Sequence, residues 1–220
     1  MNDAELHIAT GPEKSAATRP HPCWSCRGPV DGGALFCATC RAVQPPAPLD
    51  HFARLGLPAA FGVDASELDR RYFAAQRQLH PDRFATRTPR ERAISQSQAV
   101  SLNEAYETLK EPVARAAYLL KLKGVDVNPD GCHTVKDPAL LMEQMELREA
   151  LQEADTSDAV NTFLATAEAQ LKSCTAAVAE SFRCGDLERA GHDTTRLKYL
   201  VKLVDEARAK AGRLNGRGAR

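Results

Sequence analysis

Gln78-Leu79-His80-Pro81-Asp82-Arg83-Phe84 is the stretch on which the reading of the fold turns. Pro81 disfavours helical backbone at His80, so a helix arriving from the N-terminal side has to stop there. That helix is legible: Leu68, Tyr72, Ala75 and Leu79 recur at i, i+4, i+7 and i+11, with Asp64 or Ser66 placed to cap it. A polar loop runs from Arg83 to Pro89. A second helix is predicted from about Arg90 to Lys110, with Ala99, Leu102, Tyr106 and Leu109 on one stripe. Two amphipathic helices around one short loop predict an antiparallel hairpin with His-Pro-Asp at its tip. Pro112 suits the first turn of a third helix, Val113 to Lys123, and Gly124 suits its C-terminal cap.

Upstream, Pro45-Pro46-Ala47-Pro48 predicts a stiff spacer over 45–48, preceded by a metal block over 21–44. Cys23-x-x-Cys26 and Cys37-x-x-Cys40 can bring four thiolates onto one tetrahedral centre. Gly28, Gly32 and Gly33 are expected to allow the tight turns, and Trp24 and Phe36 to pack against the site. So small a block has no adequate core, so the metal must supply its folding energy. Losing the metal is therefore expected to melt 21–44 alone and to leave the hairpin untouched. Two disulfides, or four unrelated thiols, are the competing readings. Against them stand the odd total of seven cysteines and the clustering of four, which favour a metal site in a reducing compartment. Zinc suits a closed four-cysteine site, and iron is also compatible. Residues 1–20 are polar, are read as a disordered tail, and lack a secretory signal.

Downstream, a loop over 125–136 precedes helices predicted at 137–154, 157–184 and 186–211, a small antiparallel three-helix bundle. The tail 212–220 is too small and basic to pack. On the first of these helices Leu140, Leu147, Leu151 and Ala154 share one stripe, while Leu141, Met142 and Met145 point elsewhere, rimmed by Glu146, Glu149 and Glu153. An apolar patch containing methionine and edged by carboxylates fits an adaptable binding surface, and a helix buried on both sides with solvated glutamates is the competing reading. On the last helix Leu197, Leu200, Val201 and Val204 form the core stripe. Tyr199 lies about 160° from that stripe, as an exposed anchor would.

The chain has 220 residues, with 29 Lys plus Arg against 29 Asp plus Glu, so no net field draws it to nucleic acid. No apolar run is long enough to span a membrane. Neither a phosphate-binding loop nor a Gly-x-Ser-x-Gly elbow occurs, and a non-enzyme is expected. Cys132, Cys174 and Cys184 read as ordinary residues.

The region 49–124 resembles the J-domain: His80-Pro81-Asp82 leaves a basic helix bearing Arg70, Arg71 and Arg77. It departs from the commoner wording by having Leu79 rather than Tyr before His80. Further matches narrow the resemblance to the HscB-type subfamily. They are Asp50-His51-Phe52, Leu55-Gly56-Leu57-Pro58, Leu102-Asn103-Glu104-Ala105-Tyr106, His133-Thr134-Val135-Lys136-Asp137 and Leu141 to Glu149. The cysteine block is similar to that of the metazoan-type mitochondrial relatives. The resemblance implies a mostly α protein with a small zinc-ribbon-like N-terminal domain, a helical-hairpin J-domain and a C-terminal three-helix scaffold-binding domain at 137–211.

It also implies that His80, Pro81, Asp82, Arg70, Arg71 and Arg77 contact a DnaK-type chaperone. Leu141, Met142, Met145, Glu146, Glu149, Glu153 and Tyr199 would bind an IscU-type iron–sulfur scaffold. Cys23, Cys26, Cys37 and Cys40 would hold one zinc. The implied compartment is the mitochondrial matrix, with the cytoplasm as alternative. A general J-protein with an accessory zinc domain is the competing function, and self-association is left open.

Overall fold

The computed structural model describes residues 20–125 and 138–218, with side chains described as far as Asn215. Two-residue strands β1 (His21–Pro22) and β2 (Pro29–Val30) pair antiparallel. The helices are α1 (His51–Arg54), α2 (Ala65–Leu79), α3 (Pro89–Lys110), α4 (Pro112–Leu122), α5 (Pro138–Glu153), α6 (Ser157–Cys184) and α7 (Leu187–Gly218). A 3-10 turn, Pro81–Phe84, lies between α2 and α3 where a loop was expected.

Local chemistry sets the helix ends. Asp50 caps α1 by accepting the Ala53 amide at 2.8 Å, and Asp64, not Ser66, caps α2 by accepting the Glu67 amide at 2.7 Å. Thr88 and Glu91 form a reciprocal capping box before α3, with the Thr88 amide on the Glu91 carboxylate at 3.0 Å and the Glu91 amide on the Thr88 hydroxyl at 3.3 Å. Between α6 and α7, Gly185 adopts φ +75°, and the Asp186 amide returns to the Ser181 carbonyl at 3.0 Å. A side chain there would be strained, which is why glycine ends the helix.

The compact units do not follow the linear domains expected from the spacing. Of the described residues, one contains 20–57 together with Arg71–Ala105; the other contains Pro58–Arg70 and those from Tyr106 onward. In the first, Phe52, Leu55, Tyr72, Leu79, Phe84 and Leu102 are buried. The buried Ser95 hydroxyl donates to the Leu79 carbonyl at 2.7 Å, and the Tyr72 hydroxyl donates to Asn103 Oδ1 at 3.0 Å, so α2 and α3 are tied by polar bonds as well as apolar packing. In the second unit α6 and α7 pack along their length and α4 packs on α7. Leu119, Leu120, Leu197, Leu200 and Val204 are buried there. The third helix of the expected J-domain thus belongs to the C-terminal unit. Its Ala116, Leu119 and Leu120 are buried, and within the same unit the Arg115 guanidinium sits 4.9 Å from the Phe61 ring, which stacks on Phe182 at 5.8 Å.

The C-terminal boundary is corrected. The last helix passes the expected end at 211 and continues to Gly218. Ala211 is buried with Ala154 and Val160, Leu214 packs on that cluster, and Ser157 hydrogen-bonds Asn215. Apolar and polar anchors at 211–215 outweigh the low helix preference of the glycines that follow.

Candidate functional site

At the hairpin tip, α2 ends on the buried Leu79 and His80 starts the 3-10 turn. His80 Nδ1 accepts the Asp82 amide at 3.3 Å, and Phe84 plugs the turn into the core. The turn is thus held by Asp82's backbone. Its carboxylate, 3.6 Å from His80 Nδ1, has a side chain 89% exposed and is presented to solvent.

The basic face of α2 is divided in use. Arg70 is a bidentate partner of Glu67, at 2.8 and 2.7 Å. Arg71 is half-buried and donates to the Leu55 carbonyl at 3.3 Å and to the Gly56 carbonyl, so it holds α1's exit in place. The left-handed Gly56, at φ +66°, lets the guanidinium approach: a Cβ there would lie 2.6 Å from Arg71 Nη1. Arg77 is exposed, with Nε on the Phe73 carbonyl at 3.2 Å. Phe73 itself is 47% exposed on the same helix, and sequence reasoning passed it over. Its position off the Leu68–Tyr72–Leu79 stripe was the available signal.

The four cysteines converge. Cys23 and Cys40 sulfurs lie 3.7 Å apart, as do those of Cys26 and Cys37, and all four lie within 4.8 Å of one another. A tetrahedron with metal–sulfur bonds of about 2.3 Å has edges of about 3.8 Å, so the donor set fits a four-thiolate metal site. A disulfide needs sulfurs about 2.05 Å apart, and the four are free thiols. The two knuckles repeat each other. The Cys23 amide bonds the Gly28 carbonyl at 2.8 Å and the Cys37 amide the Ala42 carbonyl at 3.0 Å. The left-handed residues are Arg27 (φ +62°) and Arg41 (φ +64°), together with Gly33; Gly28 serves a different end. A Cβ on Gly28 would meet Thr39 Oγ1 at 2.8 Å, so glycine lets the knuckles close on each other.

Burial opposes ionisation of Cys23, but bonds from the Cys26 and Ser25 amides and the Gln44 amide group win and bring its thiol down to about 6. On Cys26 the Gly28 amide lowers the thiol, yet the neighbouring sulfurs, Cys40 first, push it up to about 12. Sulfurs this close need a cation between them to ionise together.

The block is not an independent bead on a spacer. Buried Gln44 donates from Nε2 to Cys23 Sγ at 3.3 Å, and its backbone carbonyl accepts from the buried Gln98 amide of α3 at 2.8 Å. Trp24 donates to the Val43 carbonyl at 2.7 Å and carries the Arg90 guanidinium 4.4 Å above its ring. Arg54 holds the Ala47 carbonyl at 2.8 Å inside the proline stretch. The knuckles share buried polar bonds with α3, which gives metal loss at 21–44 a route to the helices.

On α5, Leu140 and Leu151 are buried, whereas Leu141, Met142 and Met145 are 50%, 61% and 57% exposed. Glu146, Glu149 and Glu153 are exposed beside them. Tyr199 corrects the reading of an exposed anchor. It is half-buried, and its hydroxyl donates to the Gln144 carbonyl at 2.5 Å. α7 has neighbours besides α6, so a residue off one stripe faces another helix rather than water. Arg196, three residues earlier on α7, grips Glu143 through Nε at 2.9 Å. Tyr199→Phe should cost about 1 kcal/mol of unfolding free energy in a denaturant titration.

Cys174 is buried, with its thiol on the Asp193 carbonyl at 3.5 Å, and Cys184 bonds Glu180 at 3.2 Å. Among the described residues the four N-terminal cysteines are the one such metal-ligating cluster. Cys132 and His133 to Asp137 lie outside the described residues. No described helix is long and apolar enough to cross a membrane.

Compared with known proteins, the chain is 35% identical over 188 residues to the mouse iron-sulfur cluster co-chaperone protein HscB, covering 84% of this chain and 80% of that one. The chain belongs to the HscB co-chaperone family. A family model described as the HSCB C-terminal oligomerisation domain matches residues 136–208, which span α5, α6 and most of α7. The HscB homolog of Cupriavidus taiwanensis is 42% identical over 168 residues, 75% of this chain and 95% of that relative. The crystal structure of human co-chaperone protein HscB aligns with a TM-score of 0.80 at 34% identity, covering 86% of this chain and 97% of that one. These HscB relatives are co-chaperones by name, which accords with the expectation of a non-enzyme.

Proposed function

We propose that the protein binds an IscU-type scaffold through α5, delivers it to a DnaK-type chaperone, and stimulates that chaperone's ATPase through His80-Pro81-Asp82. The observation that carries this reading is the exposed Leu141, Met142 and Met145 patch on a helix whose other face is buried, in a chain that also presents the Asp82 carboxylate. The apolar centre supplies affinity and the Glu146, Glu149 and Glu153 rim orients a basic partner. The four thiolates would hold zinc, a closed structural site that fixes the knuckles and takes no part in turnover. Arg77 and Phe73, rather than Arg71, form the useful part of the α2 docking face.

Changing Leu141, Met142 and Met145 together to Ala should weaken scaffold binding at least tenfold in a calorimetric titration. Unfolding stability should barely move, because these side chains are already exposed. Unchanged affinity would remove the patch. The oligomerisation wording of the matched family model favours a second use of this face, pairing of two copies. In that case the triple variant would shift the sedimentation of the protein alone. The animal and plant relatives make the mitochondrial matrix our proposed compartment, and the bacterial relative favours the cytoplasmic alternative.

A further inference from the structure

The second cysteine knuckle and the turn after Asp82 line one open cleft of about 470 Å³. Arg41 enters it from the knuckle, Arg83 and Arg87 from the turn, and Phe36 and Phe84 line it with them. Glu91 is the single carboxylate among the lining residues. Its Oε2 accepts from the Thr88 hydroxyl at 2.8 Å and the Thr88 amide at 3.0 Å, and these bonds, with a smaller contribution from the Arg87 charge, hold its carboxyl below the usual range. None of the three arginines forms an ion pair with another described residue. Arg83 is steadied by a bond from Nη1 to the Arg77 carbonyl at 3.1 Å.

Arg41 also sits where a side chain is costly. At φ +64° a non-glycine residue is disfavoured, and glycine would relieve it. Arg27 repeats that backbone at φ +62° on the first knuckle but does not line the cleft. The molecule thus contains its own control for the side chain at this position.

We propose that this cleft docks an acidic segment of the DnaK-type chaperone, which makes the second knuckle part of the chaperone-facing surface. The inference rests on the chaperone-stimulating role proposed above. Guanidinium forks match carboxylates bidentately, and the aromatic walls accept the apolar stems of an acidic peptide. Arg83 directly follows Asp82, so a partner engaging that carboxylate has the cleft beside it. The three arginines line the cleft against the Glu91 carboxylate and the Cys40 sulfur.

The test is a titration of chaperone ATPase stimulation with full-length, metal-loaded wild type, Arg41→Gly, Arg41→Glu and Arg27→Gly, with metal content measured for each. Half-saturation should rise about threefold for Arg41→Gly and about tenfold for Arg41→Glu, with maximal stimulation kept and the shift shrinking as salt is added. Arg27→Gly should titrate as wild type. A purely structural role for Arg41 predicts the opposite for Arg41→Gly, because glycine relaxes the left-handed backbone and keeps the knuckle. Should Arg41→Glu lose metal, Arg41→Gly carries the test. Both Arg41 variants titrating as wild type would overturn the cleft alone, as would an equal shift in Arg27→Gly. Failure of wild type to stimulate at all would overturn the functional reading, and the cleft with it.

Discussion

Asp82→Asn should abolish stimulation of the chaperone ATPase while leaving the fold intact. The carboxylate is exposed and its contact with His80, at 3.6 Å, lies in water, where such pairs contribute little. What holds the turn is the Asp82 amide on His80 Nδ1 together with the buried Phe84, and asparagine keeps both. Stability should therefore change by no more than about 0.5 kcal/mol, while stimulation falls to the unstimulated rate. Single-turnover ATP hydrolysis with and without the variant, alongside thermal unfolding, separates the two effects. Undiminished stimulation would defeat the functional reading.

Metal removal is the second large effect, and it should spread beyond the cysteines. Four thiolates in a segment this small would bind a structural zinc with an apparent free energy of about 10–16 kcal/mol, so chelation should unfold the knuckles outright. Gln98 then loses the Gln44 carbonyl, its 2.8 Å partner, and Arg90 loses the Trp24 ring. Losing these bonds together with the cover the knuckles give α3 should lower the melting temperature of the helical part by several degrees. Gln98→Ala in the metal-loaded protein should reproduce part of that loss without releasing metal. Calorimetry with and without chelator checks both. A helical transition unmoved by chelation would return the block to the status of an independent bead.

Stabilities of the two hairpin ends should also differ in kind. The tip depends on polar ties such as Ser95 to the Leu79 carbonyl, at 2.7 Å. Tyr106 in the other unit donates to Asp69 at 2.8 Å, and this bond pushes its hydroxyl pKa up. Stability from that pair is present while the phenol is protonated and is lost as pH rises through its raised pKa. Tyr106→Phe should remove about 1 kcal/mol at neutral pH in urea titrations and flatten the alkaline loss.

Local signals were enough for much of this. A proline after His80 stops a helix whatever surrounds it. Doubled Cys-x-x-Cys can bring four thiols onto one centre, and apolar residues on two sides of α5 call for a second packing or binding face. These are properties of backbone sterics, ligand geometry and helical period, and a linear text carries them. The end of α7 was not legible, because the anchors at Ala211 and Leu214 take effect only through Ala154 and Val160. Tyr199 was misplaced for a related reason. Periodicity gives an angle around one helix, but not how many neighbours surround it.

By itself, then, the sequence determined the helices, the exposed His-Pro-Asp turn, the four-cysteine site and the apolar stripe of α5. Each follows from interactions within about one helical turn or one chelate loop. Tertiary structure alone decided that Arg71 braces the Gly56 carbonyl instead of waiting for a partner, and that Tyr199 caps the Gln144 carbonyl. It also decided that Gln44 ties the cysteines to Gln98, 54 residues away along the chain. Those roles depend on which surfaces meet once the chain is folded, because the bonding needs of buried polar groups are met wherever packing brings a partner.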